Sequence, residues 1–246
     1  MITASNLNKK FGKLQALDNI NLICRKGQTI SLIGPNGSGK TTFIKCLLGM
    51  VVPDSGHITF NGHDIAGQWG YRSKIGYMPQ IGRFPDNMTI AQVFDMLKDI
   101  RKKDTTTTDE ELSHAFQLDR IMHKRMHTLS GGTRQKVGAC LAFLFDPEVL
   151  ILDEPTAGLD PLSSEILKEK IRKEKEKGKL ILITSHVLSE LDDIVSEVIY
   201  LEDGTMKFHK SIEQLKKDTG EERLAGAIAR VMRTTKETNS QPKEHE

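Results

Sequence analysis

Residues 29 to 42 constrain this chain more than any other stretch. An apolar run, Thr29-Ile30-Ser31-Leu32-Ile33, leads into Gly34-Pro35-Asn36-Gly37-Ser38-Gly39-Lys40-Thr41-Thr42. The pattern is G-x-x-x-x-G-K-[ST], expected with a strand before it and a helix after it. Glycines at 34, 37 and 39 admit backbone angles closed to residues with a Cβ. Their N–H groups, turned inward, make an anion-binding nest within the loop that runs through Pro35, Asn36 and Ser38 to Thr42. A helix beginning near Lys40 adds its positive end. Lys40 is placed to reach the β- and γ-phosphates of a nucleotide, and the Thr41 hydroxyl to ligate Mg²⁺.

The remaining composition excludes more than it assigns. A chain of 246 residues fits one large α/β domain or a domain with a subdomain. A formal net charge of +2 is close to balance, so no global basic field argues for nucleic acid. Cys24, Cys46 and Cys140 are far apart and form no Cys-x-x-Cys pair, so neither a zinc site nor a disulfide framework is indicated. No stretch reaches the roughly 18 to 20 apolar residues that span a bilayer. The best candidate, Ala139 to Leu152, is broken by Asp146-Pro147-Glu148. With no signal peptide in view, the expectation is a cytoplasmic protein that reaches the inner face of a membrane only through a partner.

Periodicity lays out the elements. Ile2 to Leu7, Leu17 to Cys24 and Thr29 to Ile33 alternate as strands. A helix is expected from Lys40 to about Gly49, then strands at His57 to Phe60 and Ile75 to Met78, with Asn61-Gly62 as a tight turn. From Thr89 the pattern is helical through Ile90, Val93, Phe94 and Leu97. A polar loop, Lys102 to Glu111, follows, with Thr108-Asp109 as a candidate cap for a helix reaching about Met122. Another helix is expected from after Leu129 to Phe145, and a buried strand from Glu148 to Leu152. A charged helix, Leu162 to Lys177, ends at Gly178. Leu180 to Thr184 reads as a strand, Ser189 to Ile194 as a short helix, and Val198 to Leu201 with Met206 to His209 as a hairpin around Asp203-Gly204. One further helix is expected near Glu221 to Met232, with disorder from 234 to 246. An all-helical block thus interrupts an α/β core.

Two further segments bear on chemistry. Val149-Leu150-Ile151-Leu152-Asp153-Glu154 is an apolar strand ending in two acids. Asp153 suits a Mg²⁺ ligand, and Glu154, one residue on, suits the polarisation of an attacking water. Upstream, Ser130, Gly131 and Gly132 precede a helix in Leu129-Ser130-Gly131-Gly132-Thr133-Arg134-Gln135-Lys136, a second helix N-terminus suited to an anion. One nucleotide does not need two such cradles, so the economical reading assigns this one to a nucleotide held by another subunit.

These segments, in this order, resemble the ATP-binding subunit of an ABC transporter. The match comprises Walker A at Gly34 to Thr42, Gln80 as the Q-loop and LSGGT at 129–133 as the signature. Walker B at Val149 to Glu154 follows, then Gly158-Leu159-Asp160 as the D-loop and His186 as the switch histidine. The resemblance covers about residues 1–215, with a helical insert at about 87–145 and a C-terminal helix and tail at 216–246. It implies an α/β fold: a RecA-like P-loop NTPase core with an N-terminal antiparallel β subdomain and an inserted α-helical subdomain. It also implies roles. Phe11 would stack on adenine. Gln80 would contact Mg²⁺ and the water and couple to the membrane partner. His186 would contact the γ-phosphate, and Ser130, Gly131 and Gly132, with Asp160 nearby, would engage ATP across a two-fold dimer. The implied partners are a second copy of the chain and polytopic membrane permease subunits, with no nucleic acid.

Two positions depart from the family pattern. Thr133 stands where Gln is frequent, and Gly158 stands in a D-loop that commonly reads Ser-Ala-Leu-Asp. Glu154 to Pro161, with Ile75 to Arg101, resembles the single-domain ATPases of exporters and of the copper-processing complex serving nitrous oxide reductase (the NosF type). Met122-His123-Lys124-Arg125-Met126-His127 has donor types that suit copper, but two histidines four apart without a third ligand read better as surface residues. Iron–sulfur assembly ATPases are the competing class, and the Arg134-Gln135-Lys136 continuation favours the transporter type. The insert is too short and lacks the heptads that a chromosome or DNA-repair ATPase needs.

Overall fold

The computed structural model describes residues 1–101, 108–185 and 193–239, with side chains to residue 232. Its strands are β1 (Ile2–Phe11), β2 (Leu14–Cys24), β3 (Thr29–Ile33), β4 (Ser55–Phe60), β5 (His63–Asp64), β6 (Ile75–Met78), β7 (Val149–Asp153), β8 (Leu180–Thr184), β9 (Glu197–Glu202) and β10 (Thr205–Ser211). The α-helices are α1 (Lys40–Leu47), α2 (Ile90–Arg101), α3 (Glu111–Ala115), α4 (Gly131–Phe143), α5 (Pro161–Glu176), α6 (Ile212–Thr219) and α7 (Leu224–Asn239).

The strands form two sheets. One is antiparallel, in the order β2-β1-β4-β5. The other runs β10-β9-β3-β8-β7-β6, parallel from β9 to β6 with β10 antiparallel at one edge. Aliphatic runs such as Val149-Leu150-Ile151-Leu152 are buried on both faces, as a covered parallel sheet requires. Alternate residues divide between two cores. Ile30, Leu32, Ile151 and Leu182 face α1 and the antiparallel sheet, packing on Phe43, Ile44 and Leu47. Leu150, Leu152, Ile181 and Ile183 face the other way, toward the helical insert and α5. The phosphate loop therefore leaves a strand gripped from both sides.

Local signals explain the ends. Asn61 and Gly62 both take positive φ (50° and 84°), as a two-residue hairpin demands, and so do Asp203 and Gly204 (49° and 74°). Asp160 caps α5 by accepting from the Ser163 amide, Pro161 fills its first turn, and Gly178 follows its end at φ 75°.

Several expectations change. β1 and β2 run four and three residues further toward their connecting turn than periodicity suggests, because the polar residues Asn8 to Lys10 keep pairing through bulges. The helix expected to reach Met122 stops at Ala115; Gln117 turns left-handed (φ 55°) and a 3₁₀ turn, Leu118–Ile121, replaces the rest. Helix α7 continues to Asn239, past the start of the expected disorder. Packing also continues past residue 215: Leu224, Ala227 and Ile228 are buried in the same core as α5. Residues 102–107 of the polar loop, 189–192 of the short helix expected at Ser189 to Ile194, and 240–246 lie outside the described residues. Among the described residues, no helix is long and apolar enough to cross a membrane.

Candidate functional site

The loop after β3 is shaped by close approaches. At Gly34 (φ 148°) a Cβ would sit 2.0 Å from the Leu201 carbonyl oxygen, and at Gly39 (φ 102°) 2.4 Å from that of Ala16. Both positions exclude any side chain, so the loop lies flat against β2 and β9 and α1 starts at once. Lys40 Nζ donates to the carbonyls of Gly34 (2.7 Å) and Pro35 (3.0 Å), with Ser38 Oγ at 3.5 Å. Burial pushes the Lys40 ammonium below its ordinary value, opposed by the nearby Glu154 and Asp153 carboxylates.

A cavity of about 290 Å³ opens over this loop. It is lined by residues 36–42, by Phe11, Leu14 and Ala16 at one side, and by Gln80, Asp153 and Glu154 at the other. The structure thus joins residues from four separate segments. Phe11 ends β1 half-exposed, with Lys9 Nζ 5.4 Å from its ring centre. Gln80 follows β6 and is exposed. A Cβ at Gly37 would meet nothing within 4 Å, so the tip of the loop borders open space. Thr41, Asp153 and Gln80 supply hard oxygen donors, the set that Mg²⁺ prefers, so the residues present fit that ion.

Asp153 ends β7 and Glu154 follows it, both buried. Glu154 has φ 51°, a left-handed conformation that costs a residue with a Cβ roughly 1–2 kcal/mol. Its amide donates to Thr184 O and Thr184 Oγ1, each at 3.1 Å. Burial, with the Asp153 charge adding to it, pushes the neighbouring Tyr77 hydroxyl up to about 12.

Ser130, Gly131, Gly132 and Asp160 line no part of that cavity. They gather elsewhere. Ser130 caps α4, its Oγ accepting from the Thr133 amide at 3.2 Å and lying 2.9 Å from Thr133 Oγ1. The unusual Thr133 is thus part of the cap. A Cβ on Gly132 would come within 2.8 Å of the Gly158 carbonyl oxygen, so the signature and the D-loop touch. Asp160 accepts from Lys136 Nζ (2.9 Å), Ser163 Oγ (2.7 Å) and the Ser163 amide (2.9 Å), and these hydrogen bonds hold its carboxyl well below the usual range. His186 lies outside the described residues. In the Met-His stretch, Met126 is buried and His127 Nδ1 meets the Asp86 carbonyl at 2.8 Å, so these two pack and tie the insert.

A family model described as "ABC transporter" matches residues 17–157. The chain belongs to the ABC transporter family. It is one of that family's ATP-binding subunits, and its enzymatic class is ATPase. The ABC transporter ATP-binding protein NatA of Bacillus subtilis (strain 168) is 31% identical over 225 residues, covering 87% of this chain and 91% of NatA. Curated relatives are matched over 65% to 92% of their own length. Among solved structures, one described as the ATP-binding subunit of an ABC transporter superposes with a TM-score of 0.83 at 25% identity, over 94% of this chain and 99% of that one. The ATP-binding cassette MJ0796, in a dimeric post-hydrolysis state bound to ADP and Pi, gives 0.76 at 26% identity, over 86% and 99%. The ABC ATPase fold expected from the sequence is therefore the one observed, with a second cradle that its own cavity does not use.

Two residues that touch Glu154 carry no role in the sequence pattern. Thr184 is a hydroxyl ending an otherwise aliphatic buried strand, directly in register with Asp153. Gln135 is a buried amide on α4 whose Nε2 donates to the Glu154 carbonyl at 3.4 Å. A polar residue at the cavity end of a buried strand was the available signal for Thr184. For Gln135 there was none, since helix α4 carries polar residues on several sides.

Proposed function

We infer that this ABC ATPase powers a transporter by closing around ATP as a head-to-tail pair. The separation of its two cradles supports this reading: Ser130, Gly131 and Gly132 lie outside the cavity that holds Lys40 and Glu154. A second copy, related by a two-fold axis, would bring its signature over each cavity. The dimeric MJ0796 cassette is a precedent for such a pair.

In that arrangement Phe11 stacks on adenine, and residues 34–42 wrap the phosphates with Lys40 against the β- and γ-groups. Thr41, Asp153 and Gln80 would hold Mg²⁺, which neutralises charge on the phosphates. Glu154 takes a proton from water as its oxygen attacks the γ-phosphorus and the β–γ bridge breaks, leaving ADP and phosphate. His186 contacts the γ-phosphate from the switch position. Ser130, Gly131 and Gly132 of the partner, with Asp160, cover the same group. Loss of γ-phosphate contacts then reopens the pair. A permease would dock on the groove between β6 and the insert, lined by Tyr77, Arg83, Phe84, Leu97 and Phe145.

Named relatives in Nod factor export and lantibiotic transport make an exported substrate the favoured cargo. The finer assignment, copper processing for nitrous oxide reductase, rests on the run from Glu154 to Pro161 and on Ile75 to Arg101. The test is Glu154→Gln. Loss of a general base lowers hydrolysis by about 10²–10⁴-fold, while ATP binding persists and an ATP-dependent dimer accumulates on gel filtration. Turnover at the parental rate would remove Glu154 from the role of base.

A further inference from the structure

Glu154 holds a left-handed backbone (φ 51°) that no side chain with a Cβ favours, so its surroundings must impose it. The peptide is gripped at both ends. Its carbonyl accepts from Gln135, and its amide, one residue past β7, reaches two acceptors on one residue, the carbonyl and the hydroxyl of Thr184, both at 3.1 Å. A hydroxyl has a single proton, and Thr184 Oγ1 spends it on Asp153 Oδ1 at 2.5 Å. One oxygen thus touches both acids of the site. It donates to the carboxylate of the first and accepts from the amide of the second. Thr184 is buried, and its β-branch restricts the side chain to few rotamers.

The fold alone does not call for this hydroxyl. The Glu154 amide already has the Thr184 carbonyl, and β7 and β8 pair along their whole length without side-chain help. What the hydroxyl adds is a fixed distance between the Asp153 carboxylate and the Glu154 peptide, both of which border the cavity.

The geometry points to Thr184 as a positioning residue for ATP hydrolysis, aligning the Glu154 peptide against the Asp153 carboxylate through a single shared hydroxyl. This rests on the reading of Glu154 as the base. Displacement of a reacting group by about 1 Å costs on the order of 10²-fold in rate, and that is the effect expected on removing the tie.

The test compares Thr184→Val, which keeps the shape and loses the hydroxyl, with Thr184→Ser, which keeps the hydroxyl. In the purified full chain, T184V should lose about 10²-fold in kcat. Its KM for ATP and its ATP affinity in EDTA should stay within about threefold of the parent, the pattern of an interaction that acts in the transition state. T184S should recover turnover to within about threefold. The ATP-induced dimer of T184V should also outlive that of the parent. If T184V does not fold, Thr184→Ala set against T184S carries the same comparison. The proposal is overturned if T184V turns over like the parent, if T184S is as slow as T184V, or if ATP affinity in EDTA falls in step with kcat. Running E154Q alongside separates the two readings. An inactive E154Q beside a fully active T184V overturns only the role of Thr184, whereas an active E154Q overturns the base assignment beneath it.

Discussion

Two helix N-termini, at α1 and α4, each read as an anion cradle, are built on one principle and finished differently. The loop at 34–42 faces a cavity that Asp153, Glu154, Gln80 and Phe11 complete from the same chain. The cradle at Ser130 to Gly132 opens a helix in the same way, yet lines no part of that cavity. Its hydroxyl caps its own helix, and the D-loop aspartate beside it is engaged by Lys136 and Ser163. The first is enclosed by residues of its own chain, whereas on the proposed reading the second meets a phosphate held by another chain. A helix N-terminus becomes a binding site only when something brings the charge to it.

The comparison breaks most sharply at Ser130. Aspartate caps a helix about as well as serine, so Ser130→Asp should leave folding intact while setting a negative charge where a phosphate would arrive. Loss of one phosphate-stabilising group costs about 10²–10³-fold in hydrolysis, and ATP binding to the single chain should be untouched. Equal loss of monomer ATP binding, read by equilibrium dialysis, would show that the two cradles are not separate.

A smaller effect is expected where the insert is anchored away from both. Lys170 on α5 is buried against Glu174, 3.1 Å away, and reaches Asp109 (2.5 Å) and Glu111 (2.7 Å) at the start of α3. Breaking a buried ion pair from one side costs about 3–5 kcal/mol, so Lys170→Met should lower stability in urea. Below its transition, turnover per folded molecule should stay parental. A drop in turnover without a drop in stability would mean that the anchor also sets the cradle.

The weakest perturbation is Lys136→Met, which frees Asp160 from the signature helix. Asp160 is exposed, and a pair with one exposed partner contributes little, while methionine keeps the half-buried Lys136 stem packed near Phe116, so the melting temperature should barely move. Hydrolysis should change more than stability does. Unchanged hydrolysis would make the Lys136–Asp160 contact a surface ornament.

What is legible in the sequence alone follows the same division. Gly34 to Thr42 and Val149 to Glu154 carry their chemistry in local spacing, and β3, β6 and β8 fall on the expected residues because aliphatic runs leave few choices. Pairing across the chain is another matter. That Thr184 stands opposite Asp153 is a consequence of strand order, which no local pattern contains. Left-handed turns at Gln117 and Glu154 are likewise invisible, since neither residue type announces a positive φ. The packing of α6 and α7 onto the α5 side depends on Leu215, Leu224 and Ile228 finding a core assembled much earlier in the chain.

On the proposed reading the cavity of one chain is completed by the signature of another. The most direct test mixes two inactive proteins, Lys40→Ala, with its own cavity broken, and Ser130→Asp, with its own signature broken. A mixed pair holds one undamaged site, the Ser130→Asp cavity covered by the Lys40→Ala signature. The account predicts that hydrolysis returns on mixing, well above the sum of the two proteins measured alone. If the mixture stays as inactive as its parts while both bind each other, each chain must use its own signature, and the account is wrong.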